Sequence, residues 1–267
     1  FLEASYTIPQ AGGANNNLVG TIGVRQEDLN TYQTMMIYTE LEETYGLGLG
    51  KTGSLYLRYL YEDSEVGTDD NIAQLLIPGS RYFQRSYDDP LNPKSGYQFR
   101  LELRGSHDAL LSDVSLAQVI AAGSFMLPLS GKLSLHPRIE AATSIKGDEL
   151  SDLPPSMRFF VGGDNSVRGY PYKSRGPRDE SGDVTGGDSM LAGSIEGEYA
   201  LNDDWGLALF YDAGSAFNAS SEIEVIQGAG FGVRRYTPIG PIKLDLAFRV
   251  DERDSGFRVH LSVGFDI

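Results

Sequence analysis

The chain has 267 residues, with Lys+Arg 22 against Asp+Glu 37, a formal net charge of -15 and no cysteine. The acidic balance argues against nucleic acid as a partner. The missing thiols exclude a disulfide scaffold and thiolate metal sites, and suit an oxidising compartment. No apolar run approaches the ~20 residues of a membrane helix, which leaves a membrane barrel open because its strands are apolar on one face only. The chain opens at Phe1 without a charged or apolar leader, so any targeting signal is expected to be removed or to lie outside this sequence.

In chain order, alternation of period two dominates. It runs through "LEASYTIP" (2–9), "SLYLRYLYE" (54–62) and "YQFRLELR" (97–104), where Tyr97, Phe99, Leu101 and Leu103 share one face. It continues through "KLSLHPRIE" (132–140), "PIKLDLAFRV" (241–250) and "FRVHLSVGFDI" (257–267). Such alternation means strands rather than helices. About 13 strands of roughly 9–12 residues are expected. Their spans are 2–9, 16–26, 32–43, 53–63, 71–84, 96–105, 113–127, 132–144, 189–201, 204–213, 225–236, 241–250 and 257–267. No linker separates them, so one domain, 1–267, is expected.

The polar face carries too many charges for a dry core: Arg100, Glu102, Arg138, Glu140, Glu196, Glu198, Lys243, Asp245 and Arg258 among them. They suit the wet interior of an outer-membrane barrel whose apolar face meets lipid. Tyrosines and Trp205 near strand ends fit aromatic girdles. The fold expected is therefore all-β, an antiparallel transmembrane barrel. Short connections (128–132, 201–204, 237–241) alternate with longer, acidic ones (62–70, 105–113, the segment near 213–224, 251–256). Short turns face the periplasm and long loops the outside, so the C-terminus is expected to be periplasmic. That orientation starts the first strand outside, so either one strand is miscounted or about three further strands lie upstream of Phe1, the second being favoured.

One connection stands apart. "FFVGGDNSVRGYPYKSRGPRDESGDVTGGD" (159–188) has no hydrophobic period and is too long for an ordinary link between strands. It lies within a long loop expected over 146–188. The stretch from "LPPSMRFFVGGDNSVRGY" onward resembles the TamA branch of the superfamily that also contains BamA and the two-partner secretion transporters. The motif is Val167-Arg168-Gly169-Tyr170, and "DPLNPKSGYQFRLEL" (89–103), "FYDAGSA" (210–216) and "GAGFGVRRYTPIGPIKLDLAF" (228–248) match as well. The resemblance spans nearly the whole chain.

That resemblance implies the C-terminal part of a barrel of about 16 strands, with the first strand here aligned to the family's fourth. It implies N-terminal POTRA domains, not present in this sequence, and a TamB-like inner-membrane partner reached through them. Outer-membrane lipid, lipopolysaccharide and client autotransporter or barrel proteins complete the implied partners. The implied function is assembly or translocation of those clients; a BamA-type general insertase, a two-partner secretion pore and a passive channel or surface antigen are the alternatives. The sixth extracellular loop is implied to fold into the lumen, where its arginine meets acidic groups of the wall.

An always-charged planar guanidinium needs carboxylates at bidentate range when it leaves water. Inward registers offer Glu196, Glu198 and Asp212, and the family pattern matches Arg168 to Glu196 and Asp212. The competing reading has these acids solvating the lumen or pairing with Arg234 and Lys243. Gly162, Gly163 and Gly169 are expected to permit turns or close approach. In the last strand Gly256 and Gly264 are candidates for a weak seam with the first strand, although they could equally relieve crowding. No cofactor or metal is expected, and the acidic loops 62–70 and 178–184 lack a fixed calcium-ligand spacing. Ser106, His107 and Asp108 are adjacent, but neighbours on an extended chain point apart, which argues against a triad. His136 and His260 face inward and could pair with a serine, yet no serine-centred motif is evident. The chain is not expected to be an enzyme.

Overall fold

A computed structural model of the chain describes residues 1–11, 16–67, 69–89, 93–218, 223–237, 240–250 and 256–264. Thirteen strands form one sheet in chain order: β1 (Leu2–Pro9), β2 (Asn17–Asp28), β3 (Gln33–Gly48), β4 (Lys51–Val66), β5 (Asp69–Tyr87), β6 (Gly96–Ser106), β7 (Leu116–Pro128), β8 (Leu133–Lys146), β9 (Ser189–Ala200), β10 (Trp205–Phe217), β11 (Ile226–Arg235), β12 (Ile242–Arg249) and β13 (Phe257–Val263). Every neighbouring pair is antiparallel. Among the described residues β1 pairs with β2 alone and β13 with β12 alone, so the sheet is open.

The period-two reading explains the two faces. On β10, Trp205, Leu207, Leu209 and Tyr211 are exposed while Ala208, Phe210 and Asp212 are buried. On β13, Phe257, Val259, Leu261 and Val263 are all exposed and His260 is half-buried on the opposite face. This exposed apolar face suits lipid. Leu209, the most exposed of the β10 set at 68%, gives a test. Leu209→Arg is expected to cost about 2–4 kcal/mol of insertion stability near the bilayer midplane, read from folding titrations into lipid vesicles. An unchanged titration would show that this face does not meet lipid.

Several expectations need correction. The strands β3, β4 and β5 run to 16, 16 and 19 residues, well past the span expected for a bilayer crossing. The stretch 62–70, read from its acidity as a solvated loop, is mostly strand: β4 continues to Val66 and Glu62 is fully buried. Acidity misled there because alternate residues of a strand face opposite ways. Likewise β6 reaches Ser106 and β10 reaches Phe217. Residues 68, 219–222, 238–239, 251–255 and 265–267, which fall in the expected loops, the 237–241 turn and the end of the last strand, lie outside the described residues.

The buried face is not uniformly polar either. Met36, Tyr56, Leu60, Leu75, Ile77, Val114 and Leu116 join Leu153 and Met157 of the long connection in an apolar cluster. Burial of such side chains stabilises the fold by roughly 1.5–3 kcal/mol each. The loop thus has a hydrophobic seat inside the sheet, which charge patterning alone does not disclose.

Candidate functional site: a loop anchored inside the sheet

The connection between β8 and β9 covers 147–188. It contains two short 3-10 turns, Leu150–Asp152 and Pro155–Met157, and folds on itself through isolated bridges Phe159↔Gly187, Val161↔Arg175 and Arg178↔Val184. Its root is tied to β4, where Ser156 donates through its amide, at 3.3 Å, and through its hydroxyl to the buried Glu62 carboxylate. Its flank packs Phe160 and Val184 on Tyr32 and Val66. There Lys173 donates to Tyr32 Oη at 2.7 Å and lies 3.4 Å from Glu27 on β2.

The motif sits opposite, against β9 to β13. Val167 and Tyr170 are fully buried with Val161, Ala216 and Ile226. Between them Arg168 is 7% exposed. Its Nε and Nη2 form a two-pronged pair with Asp212 at 2.8 and 2.9 Å, and its backbone N–H donates to the same carboxylate at 3.0 Å. Nη1 donates to Glu196 at 2.8 Å and to Asp245 at 2.9 Å, and Nη2 to Ser194 Oγ at 3.2 Å. All five side-chain N–H donors are therefore satisfied, the condition for burying a guanidinium without an unpaired group. The guanidinium carbon also lies 3.4 Å from the ring centroid of Phe210, a cation–π contact. Burial would lower the pKa of Arg168, but hydrogen bonding and charge from Asp212, then Glu196, outweigh it and hold it above the ordinary arginine value.

Sheet register brings these acids together. Asp212 pairs across strands with Ser194 and Gly228, and Asp245 pairs with Gly232 and His260. A second arginine, Arg234 on β11, donates to Glu196 at 3.2 Å and to Asp245 at 2.5 Å. The competing pairing expected for Arg234 thus coexists with the Arg168 contacts, because each carboxylate has two oxygens. Glu198 does not touch Arg168; it accepts from Tyr236 and lies 3.9 Å from Arg234.

The glycines of the motif region are positioned as turns. Gly162, Gly163 and Gly169 have φ of 111°, 99° and 97°. At Gly169 a Cβ would also stand 3.2 Å from the Phe248 backbone of β12, so both conformation and contact favour glycine. Gly256 is exposed ahead of β13, and Gly264, with φ 102°, donates to the Pro241 carbonyl at 2.8 Å where β13 ends.

Three features of the anchor are not singled out by the sequence alone. Asp245 is the third acid. Gly228, Gly230 and Gly232 strip the inner face of β11: a Cβ there would meet Arg168 O at 2.1 Å, Phe210 at 2.5 Å and Asp245 Oδ1 at 1.8 Å. Their period of two in "QGAGFGV" was the available signal. Finally, His260 accepts from the Gly169 amide through Nε2 at 3.1 Å, and its Nδ1 pairs with Asp164.

The hydrolytic arrangements behave differently. Ser106 donates to the Val114 carbonyl at 2.8 Å, away from the exposed His107–Asp108 pair. Ser134 Oγ lies 2.8 Å from His136 Nε2, the kind of serine pairing left open for the inward histidines. His136, Glu196 and Glu198 offer ligand atoms within 4.8 Å of one another. Glu196, however, is already engaged by Arg168 and Arg234, an unfavourable setting for a cation.

An Omp85 superfamily domain matches residues 2–267. The outer membrane protein assembly factor BamA of Nitratidesulfovibrio vulgaris is 34% identical over 129 residues, 46% of this chain and 16% of that protein. Outer envelope protein 80, chloroplastic, of Arabidopsis thaliana is 30% identical over 129 residues, 44% of this chain and 16% of that protein. This chain therefore covers a small part of the length of those relatives. In fold it is similar to the crystal structure of BamA from Haemophilus ducreyi lacking POTRA domains 1–3, with TM-score 0.81, 17% identity, and 96% of this chain against 60% of that one. CdiB from Acinetobacter baumannii follows with TM-score 0.62, 16% identity, and coverage of 97% and 49%. With the family match running almost end to end over a 13-stranded antiparallel sheet, the chain belongs to the Omp85 superfamily of outer-membrane β-barrel proteins.

Proposed function

We propose that this chain is the membrane-embedded part of a TamA-type subunit that assembles autotransporters and other barrel proteins in the bacterial outer membrane. Residues 1–267 act as one barrel domain with the C-terminus periplasmic and the long loops, including 146–188, extracellular in origin. Its partners are lipid and lipopolysaccharide around the barrel, client chains at the sheet edge, and a TamB-like inner-membrane protein reached through POTRA domains.

The observation that carries the reading is the loop held inside the sheet: Arg168 spans Asp212, Glu196 and Asp245 across β9, β10 and β12. So many buried charges have no packing rationale, since an apolar replacement of equal volume would serve as well. They make sense as a loop set in one position near strands that must pair and unpair. The run "RFFVGGDNSVRGY" (158–170) favours the TamA branch. A BamA-type general insertase is the second reading, favoured by the 34% identity over 129 residues.

Depletion of the full-length protein in its native host separates the two. Surface autotransporters should fall while general barrel assembly persists. Loss of every barrel would point to the general insertase, and no change in either would leave a channel or surface antigen.

A further inference from the structure

The terminal strand is the least supported element of the wall. β13 is paired through the seven positions Phe257 to Val263, and only with β12 among the described residues. Among the described residues, the side chain of His260 bonds it to the loop. The Gly169 amide can only donate, so His260 Nε2, at 3.1 Å, carries the lone pair and the ring proton sits on Nδ1, facing Asp164. Asp164 is held from the other side, where Arg138 of β8 donates to its carbonyl at 3.2 Å. The Gly169 carbonyl, in the next peptide unit, is held as well, accepting from Arg249 Nε of β12 at 3.2 Å. The residue next to the anchoring arginine is thus clasped by the last two strands. A cavity of about 490 Å³ borders this contact, lined in part by Lys243, Arg258 and His260.

We infer that His260 is the positioning residue through which the anchored loop holds the terminal strand, so that withdrawal of the loop and release of β13 are one event. The inference rests on the loop being set by Arg168, as in the proposed function. It adds a specific link: Arg168, whose side-chain bonds run to β9, β10 and β12, controls the order of β13 through Gly169 and His260.

Hydrogen exchange of the full-length protein in lipid nanodiscs tests this. His260→Phe should speed exchange of the β13 amides by ~10-fold, the effect of losing one to two hydrogen bonds. Arg168→Ala should speed the same amides to a similar degree, and the double variant should be no faster than either single one. His260→Gln, which retains an acceptor for the Gly169 amide, should stay near wild type, as should Ser262→Ala on the same strand face. If Arg168→Ala also loosens β9–β11, Gly228→Ala replaces it as a way of displacing the loop. Unchanged β13 exchange on loop displacement, effects that multiply in the double variant, or no rescue by glutamine would each overturn the link. Client assembly is not part of the readout, so failure here is distinct from failure of the assembly role.

Discussion

Replacing Arg168 with alanine is expected to release the loop from the lumen, with the largest effect of any single substitution in the chain. The change does more than remove contacts. It leaves Asp212 and Asp245, 0% and 5% exposed, and Glu196 at 6%, with Arg234 as the one remaining guanidinium among them. Breaking a buried ion network on one side costs roughly 3–5 kcal/mol, because Asp212 keeps its desolvation without its guanidinium while Glu196 and Asp245 share Arg234 alone of the two arginines. At about 1.4 kcal/mol per tenfold, the released fraction should rise by 10²-fold or more. Protease cleavage within 172–184, in the barrel folded in lipid, measures that fraction directly. Arg168→Lys should fall between the two, since an ammonium keeps the charge but not the planar fork on Asp212. If alanine leaves cleavage unchanged, Arg168 does not hold the loop.

The second large effect comes from a methyl group. In Gly228→Ala the new Cβ would stand 2.1 Å from the Arg168 carbonyl oxygen, which is backbone and cannot rotate away. Neither charge nor hydrogen-bonding group is lost. Overpacking of this kind costs typically 1–3 kcal/mol, and the cheapest relief is to lift the motif off β11. Gly228→Ala should therefore raise loop cleavage by roughly 5- to 100-fold. Combined with Arg168→Ala it should add little, because both act on the same contact. Full additivity would mean that the glycine acts elsewhere, for example on the β11 pairing with Arg249.

The two substitutions also separate what the sequence disclosed from what it did not. Strand number and facing were legible because lipid on one side and a polar interior on the other force strict alternation, as in Trp205 to Asp212. The anchor was legible in part. Arg168 with Asp212 and Glu196 came from combining a motif with register, whereas Asp245 stood on the correct face of "PIKLDLAFRV" without any feature marking it as a partner. Contacts such as Gly169 to His260 join residues 91 positions apart and depend on how the loop lies over the wall. No local pattern encodes that placement. Strand ends were the poorest guide: the acidity of 62–70 hid a buried Glu62 that accepts from Thr34 of β3 and from a serine of the distant loop.

The absence of cysteine permits a direct measurement of where the loop sits. Built on its backbone, a Cβ at Gly176 would lie 3.6 Å from the Ala216 Cβ of β10, within the range that a disulfide spans. The double variant Gly176→Cys/Ala216→Cys should therefore close an intramolecular disulfide under mild oxidation in the lipid-embedded protein, visible as a mobility shift reversed by reductant. Adding Arg168→Ala should suppress it and leave both thiols open to a membrane-impermeant maleimide. A bridge that fails to form with Arg168 present, or that forms equally well without it, would contradict a loop held in the lumen by that arginine.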